Sequence, residues 1–201
     1  MESPRFAIIL RQRGSKMHFE NQRILPATRS IKDFERMMRS SYEYVILLDC
    51  HVAQLQPLMA LAKKHRKKVL LHVDLIKGLR NDEHAAEFLC QQIKPAGLIS
   101  TRTQVVQLAK KRSLTAIQRV FLLDTHALET SYRLLESFRP DYIEVLPGIV
   151  PHIIREVRER TGIPILAGGL IRTREEVNAA LDAGAVAVTT SSRDVWEMGT
   201  P

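Results

Sequence analysis

From residue 24 onward, short runs of consecutive apolar residues alternate with longer stretches in which apolar positions recur every three or four residues. A continuous apolar run bounded by Gly, Pro or Asp suits a parallel strand buried on both faces, whereas the three-to-four spacing marks the buried stripe of a helix. Strands are predicted at residues 24–27, 44–49, 69–74, 96–100, 114–120, 142–146, 163–167 and 185–189. Each is followed by a helical pattern. Ser30 caps the first, with its stripe on Phe34, Met37 and Met38. Leu55, Leu58, Met59 and Ala62 form the second stripe, and Asn81 or Asp82 starts a third that runs to Ile93 before Pro95. Val105, Val106, Leu108 and Ala109 mark the fourth, and a fifth covers residues 125–138 ahead of Pro140. Pro151 can open the sixth and Gly162 close it. Thr173 and Glu176 have the spacing of a capping box, which starts a helix at Arg174 that ends by Gly184. A short tail covers 194–196.

The strand ends fall roughly 20 to 27 residues apart, the period of a small (β/α)8 TIM-type barrel. An open doubly wound sheet is the alternative, but it would leave hydrophobic strands at its edges. One barrel domain is expected over 21–201. Residues 1–20 carry Arg5, Arg11, Arg13 and Lys16 against Glu2 and Glu20, without sustained periodicity, and read as a basic, poorly ordered tail or a mis-assigned start. Met17 is an alternative first residue.

Composition narrows the class. At 201 residues and 45% hydrophobic content the chain can bury one sizeable core. No run approaches the roughly 20 apolar residues of a membrane helix, and no signal-peptide pattern follows the basic start, so a cytoplasmic protein without a membrane partner is expected. Cys50 and Cys90 lie far apart and form neither a disulfide framework nor a zinc pattern. The net charge of +8 favours an anionic partner.

A barrel brings the residues after each strand to one face. There Gly168 and Gly169, with Thr190 and Ser191 after the last strand and Gly148 after the sixth, could cradle a phosphate with amides and hydroxyls. The plainer reading is a set of tight turns and helix caps. Asp49, His72, Asp74, Arg119 and Glu144 interrupt apolar runs at strand ends, where they must pair with one another or with a polar ligand such as a polyol. Asp49 and His51, like His72 and Asp74, are two apart, but neither pair completes a ligand set, so no metal is expected. Cys50 beside His51 is a weak nucleophile candidate. The run Lys63, Lys64, His65, Arg66, Lys67, Lys68 sits at a helix carboxyl end, where cations stabilise the helix dipole; a solvated rim explains it more readily than an RNA contact does. Arg29, Lys77, Arg80, Arg102, Arg172 and Arg193 lie on the ligand side. Aromatic content of only 5% argues against extensive base stacking.

Several blocks in order resemble the glycerol uptake operon antiterminator regulatory proteins: Ile24-Leu25-Pro26-Ala27-Thr28-Arg29-Ser30, Leu71-His72-Val73-Asp74-Leu75-Ile76-Lys77-Gly78, Ile99-Ser100-Thr101-Arg102, Tyr142-Ile143-Glu144-Val145-Leu146-Pro147-Gly148 and Ala167-Gly168-Gly169-Leu170-Ile171. The resemblance runs from about residue 21 to 196. It implies a non-enzymatic regulator that senses glycerol 3-phosphate, without a further cofactor, and binds the leader mRNA of glycerol-utilisation operons so that transcription passes a terminator. Asp49, His72, Asp74 and Glu144 would then meet the ligand's hydroxyls, and Lys77, Arg102, Arg172 and the 63–68 run would be RNA contacts. Self-association is left open. The rival reading is a small barrel isomerase, lyase or transferase acting on a phosphorylated substrate.

Overall fold

The apolar runs become the staves of a closed parallel barrel in the computed structural model, which describes Phe19 and residues 22–122 and 124–198. In chain order the elements are β1 (Ile24–Thr28), α1 (Ile31–Met38), β2 (Tyr44–Leu47), β3 (Cys50–His51), α2 (Leu55–Lys64), β4 (Lys68–His72), β5 (Ile76–Lys77) and α3 (Glu83–Phe88). They continue with β6 (Gly97–Ser100), α4 (Thr103–Lys111), β7 (Thr115–Phe121), α5 (Thr125–Ser137), β8 (Tyr142–Leu146), α6 (Pro151–Thr161), β9 (Ile165–Gly168), α7 (Arg174–Asp182), β10 (Ala187–Thr190) and α8 (Arg193–Met198). The ring order is β1-β10-β9-β8-β7-β6-β4-β2, with β1 pairing in parallel to both β10 and β2 to close it. Closure removes the edges that an open sheet would expose.

Within each run, alternate side chains serve different cores. Leu25, Tyr44, Ile46, Leu70, Ile99, Ile117, Tyr142, Leu166 and Ala187 fill the barrel interior. Their strand neighbours, among them Val45, Leu71, Val145 and Val188, pack outward against the helices. Burial on both faces is why the strands read as continuous apolar runs. Helix starts follow the capping rules: Ser30, Asp82, Asp124 and Thr173 each accept a backbone amide two or three positions into their helix.

Several boundaries differ from expectation. Strands β2 and β4 stop at Leu47 and His72, which leaves Asp49 and Asp74 on the following loops. A separate two-stranded ribbon of β3 and β5 lies in those loops, too short to register as a hydrophobic pattern. The helix after Asp82 ends as a π-helical turn, Leu89–Ile93. The tail expected over residues 1–20 falls outside the described residues except at Phe19, which is buried among the interior side chains. Its ring meets Tyr44 edge-on at 5.1 Å and lies 4.9 Å from Tyr142. Gln22 secures the same end: its side-chain amide donates to the carbonyls of Ile24 and Tyr44 and accepts from the amides of Glu43 and Tyr44.

Candidate functional site

At the carboxyl end of the strands, the inward-facing positions change from apolar to charged. Arg119 on β7 and Glu144 on β8 are register partners, and the Arg119 Nε donates to Glu144 Oε2 at 2.7 Å, with the two side chains 10% and 1% exposed. The other carboxylate oxygen, Oε1, accepts the Thr189 hydroxyl of β10 at 2.6 Å. Strand β9 runs between these two residues, and it contributes Gly168 there. A Cβ at Gly168 would lie 2.5 Å from the Thr189 Oγ1 and 2.9 Å from the Glu144 Oε1. The missing side chain is therefore what lets Thr189 reach Glu144 across an intervening strand.

This triad floors an open cavity of about 580 Å³. Its walls include Arg29 after β1, Gly169, Leu170 and Arg172 after β9, and Ser191, Ser192 and Asp194 at the start of α8. Arg29 and Arg172 are exposed and have no acidic partner among the described residues. Gly169 and Leu170 follow one another with φ of 77° and 62°, the left-handed region that a leucine enters only at a cost of about 1 kcal/mol or more.

The residues expected to cradle a phosphate separate into different roles. Gly169 and Ser191 face the cavity. Thr190 also lines it, yet its hydroxyl donates to the Ile171 carbonyl at 2.8 Å and accepts the Ser192 amide at 3.0 Å, so it ties the two wall loops together. Gly148 does not line the cavity; its amide donates to the Gly168 carbonyl at 2.6 Å, and a Cβ there would lie 2.7 Å from the Gly168 nitrogen. Gly148 packs closely against β9, and its amide is already engaged there.

Of the polar residues expected to meet a polyol, Arg119 and Glu144 do face the cavity. His72 is turned into the barrel just below, 3% exposed, and neither ring nitrogen has a hydrogen-bond partner among the described residues. Burial first, and the Arg119 charge second, push its pKa down to about 4 against the pull of Asp74 and Glu144, so the imidazole is neutral. Asp74 is engaged by neighbours: its carboxylate accepts the Ser100 hydroxyl and, through its second oxygen, the Thr101 amide at 2.8 Å and the Thr101 hydroxyl at 2.7 Å. Burial works to raise its pKa, but those hydrogen bonds prevail and hold it below the ordinary value. Asp49 pairs with the exposed Lys77 at 3.2 Å beside the β3–β5 ribbon, away from the cavity. Asp49 and Asp74 therefore order loops in this structure, since both strands end before them. Cys50 is buried and its thiol is pushed up to about 11, chiefly by burial, which leaves no thiolate for nucleophilic attack. Among the described residues no group of three or more His, Cys, Asp or Glu side chains could hold a metal ion.

The basic candidates also divide. Lys77, Arg102 and Arg172 stand on the cavity side, whereas the 63–68 run lies at the opposite end of the barrel, where α2 turns into β4. Within that run Lys67 donates to the carbonyls of Ser40 and Tyr42 at 2.5 and 2.6 Å, and Lys68 pairs with Glu43 at 2.6 Å. These two fasten the turn, while Lys63, Lys64 and Arg66 remain exposed. Thr189 and Leu170 escaped the sequence reading. The first is recoverable from period-two alternation with Ala187; nothing local marks the second.

The profile of a family described as "Glycerol-3-phosphate responsive antiterminator" matches residues 24–196. A glycerol uptake operon antiterminator regulatory protein from Listeria monocytogenes is 44% identical, with a TM-score of 0.88 over 90% of this chain and 98% of its own. A glycerol uptake operon antiterminator-related protein from Thermotoga maritima is 29% identical, with a TM-score of 0.78 over 88% and 99%. Uncharacterized protein YgcP of Escherichia coli is 28% identical over 86% of this chain and 92% of its own. A deoxyribose phosphate aldolase from Aeropyrum pernix, 18% identical with a TM-score of 0.65, shares the barrel fold.

Proposed function

The chain belongs to the glycerol-3-phosphate responsive antiterminator family, and from that premise we propose that its cavity binds glycerol 3-phosphate and that occupancy governs binding to the leader mRNA of a glycerol-utilisation operon. The observation that carries the ligand assignment is the division of the cavity. Its rim holds two arginines without acidic partners, Arg29 and Arg172, beside Gly169 and Ser191; its floor holds the Glu144 carboxylate with Arg119. A phosphorylated polyol has the matching division, a dianionic head that guanidinium groups can bind bidentately and hydroxyls that a carboxylate accepts. Binding and reading the ligand require no proton transfer, and membership of a regulatory family favours a sensor over a catalyst. Among the described residues no helix is long and apolar enough to cross a membrane, and a transcript partner places the protein in the cytoplasm.

For a sensor, ligand and RNA must tighten one another equally, by a coupling typically of about 1–3 kcal/mol. Titration calorimetry should show saturable binding of glycerol 3-phosphate and no measurable heat with glycerol alone. Leader-RNA affinity should rise about 5- to 150-fold on adding the ligand, and Gly169→Asp, which sets a carboxylate at the phosphate end, should abolish the response. Equal RNA affinity with and without ligand would refute the sensor reading, and turnover of glycerol 3-phosphate, followed by NMR, would replace it with an enzyme.

A further inference from the structure

Six large apolar side chains are exposed among the described residues, and three of them are grouped on consecutive staves around the cavity. Phe121 ends β7 and is 48% exposed, Ile149 follows β8 and is 40% exposed, and Leu170 follows β9 and is 55% exposed. Because β7, β8 and β9 are neighbours in the ring, these residues form one arc of the rim. Arginines flank the arc. Arg80 and Arg102 lie on the loops after β5 and β6, on one side, and Arg172 lies on the other; all three are exposed and without an acidic partner among the described residues. Leu170 holds a left-handed backbone with φ of 62°, which turns its exposed side chain at the cavity mouth.

We propose that this arc is the RNA-recognition surface of the protein: unpaired bases pack on Phe121, Ile149 and Leu170 while Arg80 and Arg102 take the adjoining phosphates, Arg172 being given to the ligand. The proposal rests on the antiterminator reading and settles the face on which that reading operates. Charge selects RNA as the occupant: the uncompensated guanidinium groups of Arg80 and Arg102 border an apolar strip that carries the aromatic ring of Phe121, and cations beside an aromatic platform are how proteins hold splayed, single-stranded bases. The arc also explains the coupling. Leu170 lines the ligand cavity and stands on the arc, so a ligand that fixes the loop after β9 fixes part of the RNA surface directly. The exposed residues Lys63, Lys64 and Arg66 lie at the far end of the barrel and have no such link.

The test compares leader-RNA affinity of the whole chain, with saturating glycerol 3-phosphate, for wild type, Phe121→Ala, Arg102→Ala and the triple variant Lys63→Ala/Lys64→Ala/Arg66→Ala. Phe121 and Arg102 do not line the cavity, so both variants should bind glycerol 3-phosphate as wild type does. Phe121→Ala should weaken RNA binding by about tenfold, and Arg102→Ala should lower the slope of log affinity against log salt by about 0.7 to 0.9. The triple variant should change neither. Wild-type affinity in both rim variants, or a loss confined to the triple variant, would overturn the surface assignment while leaving the sensor intact. Dispersal of a dimer by Phe121→Ala with RNA binding unchanged would make the arc a contact between copies and overturn it likewise. If wild type binds no leader RNA even with ligand, the antiterminator reading falls as well, and the arc belongs to a protein partner.

Discussion

Gly168 works through what it lacks. Conformational freedom is not at issue there; a methyl group would stand where the Thr189–Glu144 hydrogen bond passes. Gly168→Ala should therefore lower stability by about 1–3 kcal/mol in chemical denaturation and weaken glycerol 3-phosphate binding by turning Glu144 aside. The sequence shows two adjacent glycines and invites one explanation for both, but only Gly169, with its positive φ and its place on the cavity wall, fits that explanation. Nothing local could separate them, because the reason for Gly168 lies in two residues that are themselves 45 positions apart. His72 yields a pH prediction. Its folded pKa, about 4, is below the ordinary 6.5. The unfolded chain thus binds more protons between those values, and stability contributed by the neutral ring is complete above about pH 6.5 and lost as pH falls toward 4. The loss should approach about 3 kcal/mol in urea denaturation. It should be absent from His72→Gln; the same decline in that variant would assign the effect to other groups.

Element by element, the sequence was legible wherever a long periodic pattern met a chemical stop. Thr173 and Glu176 announced their helix by spacing alone, and both reciprocal bonds are present. Strand ends were harder to read: the polar residues after β2 and β4 look like strand continuations, yet Asp74 accepts hydrogen bonds from Ser100 and Thr101, 26 and 27 residues away, which no local pattern encodes. The amino-terminal segment holds one position whose role is not local either. Phe19 stands alone in a basic, aperiodic stretch, and its importance comes from the two tyrosines that meet it across the barrel floor. Phe19→Ala should cost about 3–5 kcal/mol, read as a lowered denaturation midpoint, with ligand affinity preserved because the cavity is at the other end. An unchanged midpoint would mean that Phe19 only covers the floor.

For the whole molecule, eight strand-helix periods in the sequence sufficed to specify closure, while the division of labour between the barrel's two ends did not appear until the chain was folded. One end is fastened by Phe19, Gln22, Lys67 and Lys68; the other carries the cavity and its exposed rim. Glycerol 3-phosphate, binding only the folded barrel, should raise the unfolding free energy by about 2.7 kcal/mol at a hundred times its Kd, measurable as a rise in melting temperature that Gly169→Asp eliminates. The bond that crosses β9 also has a consequence for inheritance. Positions 144, 168 and 189 should vary as a unit, since a side chain at 168 crowds the hydrogen bond between the other two. Relatives of this chain should retain the trio together or exchange it together, and a lineage with alanine at 168 but unaltered Glu and Thr at the other two positions would have to have rebuilt the barrel mouth around it.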